Sequence, residues 1–283
     1  MFERQADEPL FANVLWNRPV SAHAAGRLLV VGAHNSGLAT LQAVYQIAEA
    51  AGIGSLTMLV PETLRSMLAI VPAINFAPAT IAGSLAKASL SQMVELASYT
   101  DAVLVGTDLS NNSETAILIE SFIAKYDRPL IIADAALEVI GLSPDLIRSR
   151  PNTLVVLTMQ QLFKLAGKLG LPLQIKPDGG ITNKIEIVTD FWSVLKVDLA
   201  LIGPEIIIKT GDQVSVTELS GQPATLLPTA YGVLSVFYTQ NPKAHYEGLT
   251  TGAFLLSQAI NSTTEISIAN VTASLTKALQ ERD

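Results

Sequence analysis

The chain of 283 residues contains no cysteine. Disulfides, thiolate nucleophiles and thiolate metal centres are therefore excluded, and the redox compartment is left open. Histidine is scarce as well. His23, His34 and His245 lie far apart, no two at helical ligand spacing, so no metal site is expected. Charged residues make up only 15%, yet no apolar run approaches the ~18 residues of a membrane helix. The opening "MFERQADEPL" carries acids and no apolar segment, unlike a secretory leader. A net charge of −7 disfavours nucleic acid and anionic membranes as partners. These absences lead to the expectation of a soluble cytoplasmic protein. One further absence is local. "LLPTAYGVLSVFYTQ" (226–240) has the layout of a loop entering a helix, but contains no Asp, Glu, His, Lys or Arg.

What is present is an alternation of strands and helices. Hydrophobic residues reach 49%, which suits strands covered on both faces. At this length about three quarters of the unfolded chain's surface can be buried. Apolar runs at 27–33, 55–61, 101–106, 128–134 and 152–158 read as strands, each followed by a helical pattern. The segment 62–70 also reads as helical. Asn111, three residues before Glu114, reads as a helix cap. Strands in quick succession over 198–217, with "KTGD" as a hairpin turn, imply an antiparallel portion. The expected architecture is α/β: a mostly parallel central sheet with helices on both faces. Residues 1–25 read as an N-terminal arm or short helix, and 26–283 as one domain. Ligands in such folds lie beyond the C-terminal ends of the strands.

The strand ends carry the candidate site residues. In "GAHNSG" (32–37) the glycines are five apart, but Leu38 and Ala39 follow where a phosphate-binding loop needs Lys and Ser or Thr. Gly32, His34, Asn35 and Ser36 can still face a ligand, or Ser36 can simply cap the next helix. Gly106 and Asp108 follow the third strand. Asp108 suits a hydroxyl or metal ligand, or equally a turn residue bonded to its own backbone. Asp134 ends the fourth strand, where it can meet a ligand or cap the next helix. Thr229, Ala230, Tyr231 and Gly232 would present free N–H groups at a helix start and so hold an anion. They supply no base unless Tyr231 has a greatly lowered pKa. His245 opens another helix and reads as a surface or packing residue. No Ser/His/Asp set or paired-carboxylate site is visible.

In order of segments the chain resembles the ribokinase-like ADP/ATP-dependent NAD(P)H-hydrate dehydratase family, from about residue 16 onward. "RPVSAHAAGRLLVVGAHNSG" is similar to the family's Ser-His-Lys-Gly opening. "AAGIGSLTMLVPE" resembles its Arg-Ala-Gly-Ala-Gly-Leu-Val segment, and "ALIGPEIIIKTGDQVSV" its Leu-Lys-Gly segment. The chemistry of the motifs departs from the pattern. The family's Gly-Ser-Gly-Asp stands as Thr229-Ala230-Tyr231-Gly232, so the catalytic Asp falls on Gly232. Gly-Pro-Gly-Leu-Gly stands as Gly106-Thr107-Asp108-Leu109-Ser110. The lysine before Gly203 is Ile202, the His-Pro-Gly-Glu loop is missing after Thr158, and Ala135 replaces the second Asp of Asp-Ala-Asp. The resemblance implies a ribokinase-like fold, a symmetric homo-oligomer and a nucleotide ligand near Gly203 and 229–232. ADP or ATP with magnesium is implied only if the family reaction is retained. Base catalysis is worth on the order of 10²–10⁴-fold and phosphoryl transfer needs cations, so the missing residues imply a catalytically degenerate protein with a binding or structural role. An active, divergent dehydratase would need Asp108, Asp134 or Asp178 as a replacement base. A small-molecule kinase is a further alternative, which relies on the same lost turn.

Overall fold

The computed structural model describes residues 2–280 except 36, 69–72, 175–178, 220–222 and 264; side chains of 223–226 are likewise outside the description. The parallel strands are β2 (Arg27–Gly32), β3 (Ser55–Pro61), β4 (Ile74–Ala77), β5 (Ala102–Thr107), β6 (Leu130–Ala133), β7 (Thr153–Thr158) and β8 (Asp198–Ile202). β9 (Glu205–Thr210) and β10 (Gln213–Glu218) extend the sheet, each antiparallel to the strand before it. β1 (Glu3–Gln5) then pairs parallel to β10 at the edge. The described residues form one ten-stranded sheet, in the order β1-β10-β9-β8-β7-β6-β5-β2-β3-β4.

The apolar runs become central strands because both faces are covered. In β2, Leu28 and Val30 join one core while Leu29 and Val31 join the other, and all four are fully buried. On the first face lie α1 (Ala12–Trp16), α2 (Ala39–Ala50), α8 (Pro223–Gln240), α9 (His245–Asn261) and α10 (Ile268–Gln280). On the second lie α3 (Leu90–Ser98), α4 (Ser113–Ile123), α5 (Ala136–Leu142), α6 (Met159–Lys168) and α7 (Gly180–Leu195). In α10 Val271, Leu275 and Leu279 form a buried stripe. α6 starts with a capping box, in which the Thr158 hydroxyl accepts from Gln161 N and the Gln161 side chain accepts from Thr158 N.

Several local expectations change. The arm is part of the sheet: β1 extends it, and buried Gln5 donates to the Thr217 hydroxyl at 2.7 Å. Residues 62–70 contain a single 3₁₀ turn, Glu62–Leu64, rather than a helix as far as the chain is described. The cap of α4 is Asn112, not Asn111; its side chain accepts from Glu114 N and Thr115 N. Gly211 and Asp212 make the two-residue turn between β9 and β10, as "KTGD" foretells. No helix among the described residues is long and apolar enough to cross a membrane.

Candidate functional site

The strand order reverses between β2 and β5, the switch point at which open α/β sheets take ligands. A cleft of 580 Å³ opens there, at the C-terminal ends of β2, β5, β6 and β7. His34 reaches it from after β2, Asp108 to Asn111 from after β5, Asp134 and Glu138 from after β6, and Gln160, Gln161 and Lys164 from the first turns of α6. Glycines let these strand ends converge. A Cβ on Gly106, at φ +128°, would lie 1.8 Å from the Ala133 carbonyl oxygen. One on Gly32 would lie 2.0 Å from the Thr107 carbonyl oxygen. Both therefore serve backbone packing. The "GAHNSG" turn closes through His34 N to Gly37 O and Gly37 N to His34 O, each 3.0 Å, and Asn35 N donates to Gly83 O. Ser36 lies outside the described residues, as does Asp178.

The two strand-end aspartates act together. Asp108, in the left-handed region at φ 53°, turns its carboxylate onto the start of α2. Its Oδ2 accepts from Thr40 N at 2.7 Å and Leu41 N at 3.1 Å. The helix has no side-chain cap at its own N-cap, Leu38, so Asp108 supplies the missing acceptor from another loop. The sequence did not foresee this capping role for Asp108. Asp108 N in turn donates to Asp134 Oδ2 at 3.2 Å. Asp134 also sits at positive φ and gives α5 no side-chain cap. Burial pushes its carboxyl above the ordinary range, and the bond from Asp108 N pulls the other way. Glu138 is the opposite case. Hydrogen bonds from Lys164 and then Lys168, each 2.5 Å in the ion pairs, hold its carboxyl below the usual range.

The stretch 226–240 is not a loop entering a helix. α8 begins at Pro223, so Thr229 to Gly232 lie within it and Thr229, Ala230 and Tyr231 are buried. Their N–H groups belong to the helix interior and form no free helix start. Gly232 faces α2: a Cβ there would lie 2.6 Å from Ile47 Cγ2 and 3.3 Å from the Val44 carbonyl oxygen. Tyr231 is 1% exposed and its hydroxyl has no hydrogen-bond partner. Burial first, and the neighbouring Asp134 next, push its pKa up rather than down, which removes it as a base. Gly203 lies in the tight turn from β8 to β9, where an added Cβ would meet no close neighbour.

The sequence reading missed Glu138, Gln160, Gln161 and Lys164. The Thr158–Gln161 capping-box spacing was the one signal that could have drawn attention to α6. His245 lies elsewhere: its Nδ1 is 3.0 Å from Asp198 Oδ2 at the start of β8, and its ring stacks on Tyr238. Among the described residues no group of three or more His, Cys, Asp or Glu is placed to hold a metal ion. The cleft therefore offers a half-buried carboxylate able to accept a proton, a second carboxylate tied to a helix start, amides for hydrogen bonding, and a lysine already engaged by Glu138.

No protein-family model matches the chain. No curated protein matches it either. Solved structures do. A ribokinase-like superfamily protein from Enterococcus faecalis V583 superposes with a TM-score of 0.73 at 13% identity, covering 99% of this chain and 96% of that one. The ADP/ATP-dependent NAD(P)H-hydrate dehydratase of Bacillus subtilis, co-crystallised with ATP and Mg²⁺, gives 0.68 at 12% identity over 94% of each chain. A ribokinase from Cryptococcus neoformans in complex with ADP gives 0.58 at 14%, covering 90% and 98%. The chain has a ribokinase-like fold.

Proposed function

We propose that this is a ribokinase-fold protein that has lost the nucleotide-dependent chemistry of the hydrate dehydratases it resembles and uses the switch-point cleft to bind a small ligand. The observation that carries this reading is the start of α8 at Pro223. In the resembled family a Gly-Ser-Gly-Asp turn opens a helix, so its N–H groups cradle phosphate and its Asp takes a proton. Here the same positions are helix interior, and the position matched to the Asp is a glycine packed on α2. The start of α2 is no substitute, because Asp108 already occupies its N–H groups with negative charge. Ile202 stands where a lysine would reach the phosphates. The residues present do not fit ADP or ATP with magnesium.

The test is direct. The chain at high concentration is given NADH hydrate with ADP or ATP and magnesium, and absorbance at the NADH band is followed. No rise is expected. In parallel, melting with ADP, ATP, NAD and NADH should show no shift, whereas a ligand at 100 times its dissociation constant would add about 2.7 kcal/mol.

A second reading has one observation in its favour. Asp134 lines the cleft with its pKa raised by burial, as suits a general base. A divergent dehydratase built on Asp134 would convert the hydrate and lose that turnover in Asp134→Asn. A small-molecule kinase meets the same missing phosphate cradle and ranks behind both. A cytoplasmic setting and a symmetric homo-oligomer belong to the proposal too; light scattering after gel filtration tests the latter.

A further inference from the structure

Two spaces at the switch point adjoin. The acidic cleft shares Leu109, Ser110, Asn111, Ala135, Glu138 and Lys164 with a second space of 300 Å³ between α4 and α5. That side space is apolar along Ala116, Ile119, Val139 and Leu142, the last 72% exposed at its rim. The main cleft is polar, and its carboxylates are not equivalent. Glu138 is held by two lysines. Among the described residues neither Asp108 nor Asp134 forms an ion pair; their acceptors are met by backbone N–H groups. Beneath them lies the Tyr231 hydroxyl, fully buried beside Asp134 and Gln161 and without a hydrogen-bond partner. A buried hydroxyl left unpaired is costly, and so is a half-buried carboxylate without a counter-charge. A cation entering above Asp134 relieves the second cost by keeping the carboxylate ionised.

We propose that the cleft binds a primary ammonium compound carrying an apolar arm, with the ammonium against Asp134 and Asp108 and the arm along the groove between α4 and α5. This rests on the reading of the cleft as a ligand site and names the ligand class. An anion in the same place would meet two carboxylates. A neutral alcohol would leave Asp134 without a counter-charge. A short ammonium compound would leave the apolar groove wet, while each buried methylene adds affinity.

The experiment uses the full chain and four probes at matched ionic strength: n-hexylammonium, methylammonium, n-hexanol and n-hexanoate, each titrated by calorimetry. n-Hexylammonium is expected to bind about tenfold or more tightly than each of the others, since a charged hydrogen bond and the buried arm are each worth that order. Asp134→Asn, which keeps the shape, should abolish the margin of hexylammonium over hexanol. Leu142→Ser, at an exposed rim, should shrink the margin over methylammonium. The assignment is overturned if hexanol or hexanoate binds as tightly as hexylammonium, if hexylammonium shows no saturable binding, or if a folded Asp134→Asn retains the full margin. The wild-type comparison needs no variant, so it decides the matter even if Asp134→Asn fails to fold. Failure here is distinct from failure of the broader reading: NADH hydrate turnover would sink that reading whatever the amines do, and silent amines would leave the loss of nucleotide chemistry standing.

Discussion

Gly232 sits where α8 crosses α2, and its missing side chain is what lets the two helices meet. Gly232→Ala gains up to about 1 kcal/mol of helix propensity but drives a methyl into Ile47. Overpacking of this kind costs about 1–3 kcal/mol, so a net loss is expected, read as a lower urea midpoint at unchanged slope. Gly232→Asp, which would restore the family's acid, should be worse because it buries a charge against the same helix. Asp134 gives a pH-dependent prediction. Its carboxyl is raised above the unfolded value by burial, so between the two values the folded state holds the extra proton. Its contribution is most favourable at low pH and weakens as pH rises through that window. Asp134→Asn should therefore melt above the wild type at neutral pH, with the margin closing as pH falls below the ordinary carboxylate range. At this scale the sequence showed both aspartates at strand ends but not their roles. Asp108 caps a helix whose first turn is 67 and 68 positions away in the chain, which no local pattern can report.

The elements that could be read were those whose signal is internal to them. Central strands buried on both faces and the "KTGD" turn each carry their own pattern and appear where expected. The elements misread or left unassigned were set by their neighbours. β1 and β4 have only 3 and 4 residues, too few for a periodicity, and become strands because an existing edge pairs with them. The α8 start was misplaced because Pro228 and Gly232 look like breakers, while packing against α2 and α9 carries the helix through them. Asn111 and Asn112 are equivalent to a cap rule, and only Asn112 has its side chain over the free N–H groups. Asn112→Ala should accordingly cost about 1 kcal/mol in chemical denaturation, and Asn111→Ala should fall short of that.

Across the whole molecule, the fold was legible because strand and helix alternate along nearly the entire chain. The site was legible only as a set of strand ends, since the cleft is made by four loops that meet through the sheet order. The amino-terminal segment, read as an arm, proves to be integrated. Gln5 donates to both Thr217 Oγ1 and the Thr250 carbonyl at 2.7 Å, and the Tyr246 hydroxyl donates to Glu3 at 2.6 Å. Gln5→Ala leaves buried partners unmet and should cost about 1–3 kcal/mol. Removal of residues 1–25 should uncover the β10 edge and yield higher-order species in gel filtration.

The pairing of β1 with β10 also fixes an order of events. Gln5 and Thr217 are 212 positions apart. During synthesis β1 has no seat until more than two hundred further residues have left the ribosome. The seam between them is thus among the last to close, and contacts of such long range make for slow folding. A nascent chain stalled before β10 would carry that segment loose, open to proteases and chaperones.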